Sequence, residues 1–300
     1  MSRLAEKLRS KKFAITAEIT PPLSSDPEDL LSKASVLKGY VDAVNVTDGA
    51  SARAHMSSLA AGTLLLSAGI EPVLQFTCRD RNRIALQSDL LGAGALGIEN
   101  LLILRGDNPS CGDQPDAKPV FDYESLNLIE CAGLMQKSGA LPSGREIKNA
   151  PSFFIGCADT VLDASDPRRN PSPLIAKIDA GVEFIQTQFC FDINLVRQYA
   201  RGLLDSGIAD RAQVLIGIGP LSSAKSARWM RENLWGTTIP ESLIDRLDCS
   251  ADQSREGAAI CGELMAQYSE IEGIAGVHLM APTGISNVPL AIESSGLRLG

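Results

Sequence analysis

Histidine is nearly missing: His55 and His278 are the only two in 300 residues. Mechanisms built on a His–Asp relay or a histidine-rich metal site are therefore poorly supplied. The seven cysteines, at positions 78, 111, 131, 157, 190, 249 and 261, include no C-x-x-C pair. That excludes the usual zinc, dithiol and iron–sulfur spacings and fits reduced, mostly buried thiols. No stretch approaches the ~20 consecutive apolar residues that span a bilayer. Met1 to Leu8 reads as a short charged helix without the apolar core of a signal peptide, so a cytoplasmic location is expected. Positive charge is also scarce: 28 Lys and Arg stand against 36 Asp and Glu, a net charge of −8. This argues against nucleic acid or anionic membrane as a partner, though not against a small anionic ligand met by local arginines.

What is present is alternation. Apolar segments of strand length are predicted over residues 13–17, 41–46, 71–76, 101–104, 152–156, 184–188, 213–218 and 277–280. Helical periodicity follows each, over 26–38, 54–67, 81–96, 123–137, 173–180 and 193–205, from about 222, and over 288–294. Ser25-Asp26-Pro27 opens the first of these as a cap with proline in the first turn. Extra helices, around 240–246 and 255–268, fall between the seventh and eighth strands. Eight strands each followed by a helix predict a single α/β domain over 1–300, a (β/α)8 TIM barrel. A doubly wound sheet is the competing arrangement. It wants a glycine-rich phosphate turn after an early strand, where this chain has Glu18-Ile19-Thr20-Pro21-Pro22.

Barrel chemistry sits at the C-terminal strand ends, and those ends are polar here. They carry Glu18; Asn45, Thr47 and Asp48; Gln75, Thr77, Arg79 and Asp80; Arg105, Gly106 and Asp107; Asp159 and a 163–171 loop rich in Asp and Arg; Gln186, Gln188 and Asp192. Glu18 interrupts an apolar strand, where partial desolvation would favour the protonated form that a general acid needs. The alternative is a structural pair with Arg79 or Arg105. Asp107 could likewise pair with Arg105 in an ordinary turn, Gln75 and Gln188 could be core amides, and Lys177 a solvated helix residue. One of Arg79, Arg81 and Arg83 facing a phosphate would suffice for an anionic ligand. An acid without a histidine base suits chemistry in which a flavin carries the hydride.

Several ordered segments carry a family likeness: Ala17-Glu18-Ile19-Thr20-Pro21-Pro22, Val44-Asn45-Val46-Thr47-Asp48-Gly49, Gln75-Phe76-Thr77-Cys78-Arg79-Asp80, Leu104-Arg105-Gly106-Asp107, and Lys177-Ile178-Asp179-Ala180-Gly181 leading to Thr187-Gln188-Phe189. Together they resemble the 5,10-methylenetetrahydrofolate reductase family, and within it the reductase half of bifunctional methyltransferase-reductases. The resemblance implies an FAD-dependent oxidoreductase with NADH or NADPH as electron donor. It implies Glu18 as the proton donor to folate N10, Asp107 as the electrostatic stabiliser of an iminium, and Gln188 as a pterin ligand. Thr47, Gln75, Arg105, Gly106, Asp107, Ala158, Arg168 and Lys177 are implied to line the flavin. No metal is expected.

The chain departs from the family pattern in three places. Ala158 to Asp163 and Arg168-Arg169-Asn170 replace aromatic and histidine residues, so the adenine end is held by these arginines or held weakly. Gly284 stands near the position where family members carry a folate-contacting arginine. Ser226 and Met230 stand for a glutamine and a phenylalanine. Two other functions stay open: a non-redox barrel that presents methyltetrahydrofolate to a methyltransferase, and a subunit that takes electrons from a protein partner. A homo-oligomer is also left open.

Overall fold

The eight apolar runs are eight parallel strands that close on themselves in the order β1 to β8 in the computed structural model. The structure describes residues 1–163, 165–166, 168–282 and 284–297; parts of the 163–171 loop and of the turn after the last strand therefore lie outside it. The strands are β1 Ala14–Ile19, β2 Ala43–Val46, β3 Pro72–Thr77, β4 Asn100–Leu104, β5 Phe154–Asp159, β6 Phe184–Phe189, β7 Gln213–Ile218 and β8 Gly276–Leu279. The helices are α1 Arg3–Arg9, α2 Pro27–Ser35, α3 Ser58–Ser67, α4 Arg83–Ala95, α5 Ser125–Ser138, α6 Ser172–Ala180, α7 Ile193–Asp205, α8 Ala224–Asn233, α9 Glu241–Asp248, α10 Gln253–Ser269 and α11 Asn287–Ser295. The expected (β/α)8 barrel is present, with α9 and α10 as the extra helices between β7 and β8. None of the described helices is long and apolar enough to cross a membrane.

Local chemistry starts the helices where expected. Asp26 accepts from the Glu28 amide ahead of Pro27, and Asp192 accepts from the Asn194 and Leu195 amides to open α7. Two strands differ from expectation. β1 runs on through Glu18 and Ile19 because Asn45 and Val46 of β2 pair with them. β5 begins later and ends at Asp159, so Gly156 is a mid-strand residue rather than a stop. Its missing side chain is filled by the Phe184 ring, whose carbons lie 2.3, 2.5 and 2.6 Å from where a Cβ would stand.

Alternate residues of a strand share a face, so the interior divides into layers. The lowest is apolar: Ala14, Ala43, Val73, Leu102, Phe154, Phe184 and Leu215 meet the α1 residues Leu4, Ala5 and Leu8. Helix α1 thus closes the base. Its first turn is fixed by Glu71, which accepts from the Arg3 and Leu4 amides at 2.9 Å each. Leu4 and Leu8 are fully buried there, each contributing about 1.5–3 kcal/mol. A separate, larger apolar core lies between the sheet and the outer helices.

Candidate active site

Two residues further along β1, β2, β3, β6 and β8 the interior turns polar, with Thr16, Asn45, Gln75, Gln186 and His278. Asn45 Nδ2 donates to Gln186 Oε1 (2.7 Å), and Gln186 Nε2 donates back to Asn45 Oδ1 and on to Thr16 Oγ1, both at 3.2 Å. Thr16 Oγ1 lies 3.0 Å from His278 Nδ1. All four are buried, so each has exchanged water for a partner in this layer. The next inward positions along the same strands are Glu18, Thr47, Thr77, Ala158 and Gln188, with Gly106 just beyond β4. Period two therefore brings Glu18, Thr47, Ala158 and Gln188 to one end of one barrel.

Glu18 is 23% exposed and pairs with neither Arg79 nor Arg105. Its Oε2 accepts from Gln75 Nε2 at 2.6 Å and lies 3.7 Å from His278 Nε2. Its Oε1 has no hydrogen-bond partner among the described residues. With Lys33, Thr20, Pro282 and Gly284, Glu18 lines a cavity of ≈ 270 Å³ between the ends of β1 and β8. One carboxylate oxygen is thus gripped by the barrel while the other is left for a ligand. Gln75, a candidate flavin residue, is committed to this grip.

Gln188 sits at a register shift between β6 and β7. There Thr187 Oγ1 accepts from the Gly217 amide (2.9 Å), taking a place in the ladder, and Gln188 Oε1 accepts from the Phe189 amide (2.9 Å). The bulge re-aims the side chain and leaves Gln188 Nε2 as a donor. Thr47 is buried, and its hydroxyl has no partner among the described groups. Gly106 has a φ of +89°, and a Cβ there would stand 3.1 Å from both Thr77 Cβ and Arg79 Cβ. Ala158 is exposed at the end of β5, and Lys177 Nζ donates to its carbonyl at 3.4 Å.

Five arginines near the strand ends are engaged by carboxylates. Arg105 turns outward to Glu124 (2.9 Å) and lies over the Phe121 ring, so the turn is not closed by an Arg105–Asp107 pair. Arg79 pairs with Asp80, Arg81 with Asp48 and Asp89, Arg83 with Asp122, and Arg168 with Asp166. Arg79 is held above the usual arginine range mainly by its bond to Asp80, with Asp48 and Asp107 adding to it. Asp107 itself is exposed and has no hydrogen-bond or ion-pair partner among the described residues. Strain gathers nearby: Ser51, Ala52 and Phe121 have positive φ, and the loops after β2 and β4 meet where Gly112 abuts the Ala52 carbonyl.

Behind β5, Tyr199 Oη donates to Asp159 Oδ2 at 2.6 Å. Burial pushes the Asp159 carboxyl up, and the Tyr199 bond opposes this. Burial likewise pushes the Cys78, Cys157 and Cys190 thiols up to about 12, which keeps them inert. The Gly92-Ala93-Gly94-Ala95-Leu96-Gly97 spacing closes α4 instead of opening a helix, so it offers no amide nest to a phosphate. His278 is not legible as a site residue, and Gln186 stands among the polar strand ends without a role of its own. The available signal was that Thr16 and Glu18 share one face of β1, while their partners on β6 and β8 depend on register.

The structure is similar to an uncharacterized protein from Clostridium thermocellum that binds two copies of 5-methyl-5,6,7,8-tetrahydrofolic acid. That likeness has a TM-score of 0.65 at 14% identity and covers 98% of this chain and 99% of the other. It is also similar in fold to tryptophan synthase from M. tuberculosis, with a TM-score of 0.51 at 14% identity over 100% and 99% of the two chains. In sequence it is 25% identical to a probable methylenetetrahydrofolate reductase (NADPH) of Caenorhabditis elegans, over 80% of this chain but 34% of that protein. It is 27% identical to Methylenetetrahydrofolate reductase 2 of Schizosaccharomyces pombe, over 76% of this chain and 36% of that one. The chain thus spans about a third of the length of these two relatives. Against the 5,10-methylenetetrahydrofolate reductase of Pectobacterium carotovorum subsp. carotovorum it is 27% identical, over 89% and 85%. The family model for methylenetetrahydrofolate reductase matches residues 3–290, and the chain belongs to that family.

Proposed function

We propose that the open end of the barrel binds a tetrahydrofolate and that Glu18 is its proton donor in the interconversion of 5,10-methylene- and 5-methyltetrahydrofolate. The observation that carries this reading is the divided Glu18 carboxyl, with Oε2 held by Gln75 and Oε1 unpartnered beside a cavity. Protonation of folate N10 from Oε1 lets the bond between N10 and the methylene carbon break, leaving an iminium at N5. Asp107, an unpaired carboxylate at the mouth, favours that cation. Gln188 Nε2 offers a donor to an acceptor on the pterin edge.

Family membership supports an oxidoreductase. The orphaned Thr47 hydroxyl, the close backbone approach at Gly106, the open face at Ala158 and the Lys177 ammonium fit a flavin, and these residues would hold it. Bound FAD would supply the hydride to the methylene carbon, itself replenished from NADH or NADPH. The test is an absorbance spectrum of the purified protein before and after anaerobic addition of methyltetrahydrofolate. Bleaching of a flavin band supports the reading. Glu18→Gln is expected to lower folate turnover by ~10²-fold or more; near-parental turnover in that variant removes Glu18 as the acid.

A second reading is a non-redox barrel that presents methyltetrahydrofolate to a methyltransferase partner. Two observations favour it: the Clostridium thermocellum protein binds that folate, and Arg79, Arg81, Arg105 and Arg168 are engaged by carboxylates rather than open to a diphosphate. A colourless protein that still binds folate supports this reading over the first. A flavoprotein inactive with NADH and NADPH, but active once a co-purifying protein is restored, points to a protein electron donor.

A further inference from the structure

We propose that His278 is a positioning residue for Glu18. A chain of hydrogen bonds from Gln186, itself held by a reciprocal pair with Asn45, through Thr16 turns its Nε2–H toward the Glu18 carboxyl and steadies the carboxylate left when the proton departs. The inference rests on the reading of Glu18 as the acid.

Counting hydrogens narrows the direction, and Glu18 then fixes it. Gln186 Nε2 spends both of its hydrogens, on Asn45 Oδ1 and on Thr16 Oγ1, and its Oε1 accepts from Asn45. The Thr16 hydroxyl has then accepted one bond and has one hydrogen to give. Two acceptors compete for it: the Val277 carbonyl at 3.4 Å and His278 Nδ1 at 3.0 Å. Nδ1 either accepts that hydrogen, or itself donates to Thr16 Oγ1 while the hydroxyl turns to Val277. A neutral imidazole with Nδ1 accepting carries its hydrogen on Nε2. Reversing the two amides together would keep their reciprocal bonds but run the chain backwards and strip the hydrogen from Nε2. Glu18 selects between the two directions: Oε2 already accepts from Gln75, so the nitrogen 3.7 Å away matches it best as a second donor. At that distance the contact is electrostatic, and it tightens when Oε2 becomes part of a carboxylate.

The groups facing His278 are few. Thr16 and Glu18 come from β1, Gln186 and Asn45 lie behind Thr16, and Gly217 is its register partner on β7. Glu18 is the one charged group within ion-pairing reach among the described residues. Lys33 of α2 shares the Glu18 cavity. A donor on Oε2 makes Glu18 release its proton more readily. Without that donor the release step slows, and because the acid works in its protonated form, the descending limb of the pH–rate profile moves to higher pH.

Three variants of the full chain separate the roles. His278→Phe removes both the Thr16 bond and the Glu18 contact. Thr16→Val keeps the imidazole but breaks the chain. His278→Gln keeps an acceptor for Thr16 and a donor for Glu18. The readout is the carboxyl resonance of 13C-glutamate-labelled protein, with Glu18 assigned by its loss in Glu18→Gln, together with the pH–rate profile. In His278→Phe the Glu18 signal is expected to titrate about one pH unit higher, a tenfold change in proton affinity. Thr16→Val should shift it the same way by less, and His278→Gln should stay near the parent. Parental titration in both His278→Phe and Thr16→Val overturns the proposal, as does His278→Gln behaving like His278→Phe. If His278→Phe does not fold, Thr16→Val, which exchanges a hydroxyl for a methyl, decides the matter alone. The resonance requires no turnover, so a failure of this coupling is distinguishable from a failure of the acid assignment.

Discussion

Gly156→Ala tests whether the packing inside the barrel is as tight as the geometry requires. The added methyl would lie 2.3–2.6 Å from three carbons of the Phe184 ring, against an ordinary carbon–carbon contact of about 3.5–4.0 Å. The ring must retreat by roughly 1 Å, and it has nowhere to go. Phe184 is fully buried and stacks on Phe154 with centroids 4.8 Å apart, and Phe154 rests on the α1 plug. Overpacking of this kind costs about 1–3 kcal/mol. The upper end applies because the clash is with a ring held on both sides, while the reduced freedom of the unfolded chain returns about 0.4–1 kcal/mol. A net loss of about 2 kcal/mol is expected, or a fall of roughly 4 °C in Tm for a chain of this size. The assay is equilibrium urea unfolding of the parent, Gly156→Ala, Phe184→Leu and the double variant. The methyl should occupy space that Phe184→Leu vacates, giving a favourable coupling of about 1 kcal/mol or more. Single-variant losses that simply add, to within about 0.5 kcal/mol, would refute the argument.

Three further outcomes follow from the same structure. Leu8→Ala should cost about 2–5 kcal/mol by emptying the plug of the barrel base, read from the urea midpoint; a cost below about 1 kcal/mol would mean that the base is not close-packed. Tyr199→Phe removes the 2.6 Å bond to Asp159 and should cost about 1.5–3 kcal/mol at neutral pH. Because burial raises Asp159 above the ordinary carboxylate range, its ionised form burdens the fold at neutral pH, and acidification through the folded-state titration relieves it. The Tyr199→Phe deficit should therefore shrink on acidification, and a pH-independent deficit argues for lost packing instead. Asp122 is held at about 2, chiefly by its hydrogen bond to Arg83. Its contribution is present above the ordinary carboxylate value near ~4 and is lost as pH falls through the folded value. The Tm difference between the parent and Asp122→Asn should vanish on that descent; its persistence at the acid end would assign it to shape rather than charge.

The barrel was legible because its strands are short apolar runs bounded by turn chemistry, and helix caps such as Asp26 and Asp192 act through local contacts that sequence spacing records. Gly156 shows where that reading stops. A glycine in a strand looks like an end until the ring that fills its place is known, and that ring is 28 positions away. The same limit governs the site. Glu18 stands out because a carboxylate breaks an apolar run, whereas the role of Gln186 and the place of His278 stay hidden until register sets them against Thr16. Arg105 was legible as a cation at a strand end, but its partner Glu124 belongs to the next helix start, and no local pattern announces that pairing.

Helix α1 beneath the barrel has a kinetic consequence. With the base stoppered by Leu4 and Leu8 and lined above by an apolar layer, a ligand seated on the barrel axis arrives and leaves through the same doorway. Two reactants that use the same seat must take turns, the product of the first departing before the second comes in. Where the first reactant leaves its electrons on the protein before departing, traffic of that kind gives parallel lines in double-reciprocal plots and makes each reactant a competitor of the other at high concentration.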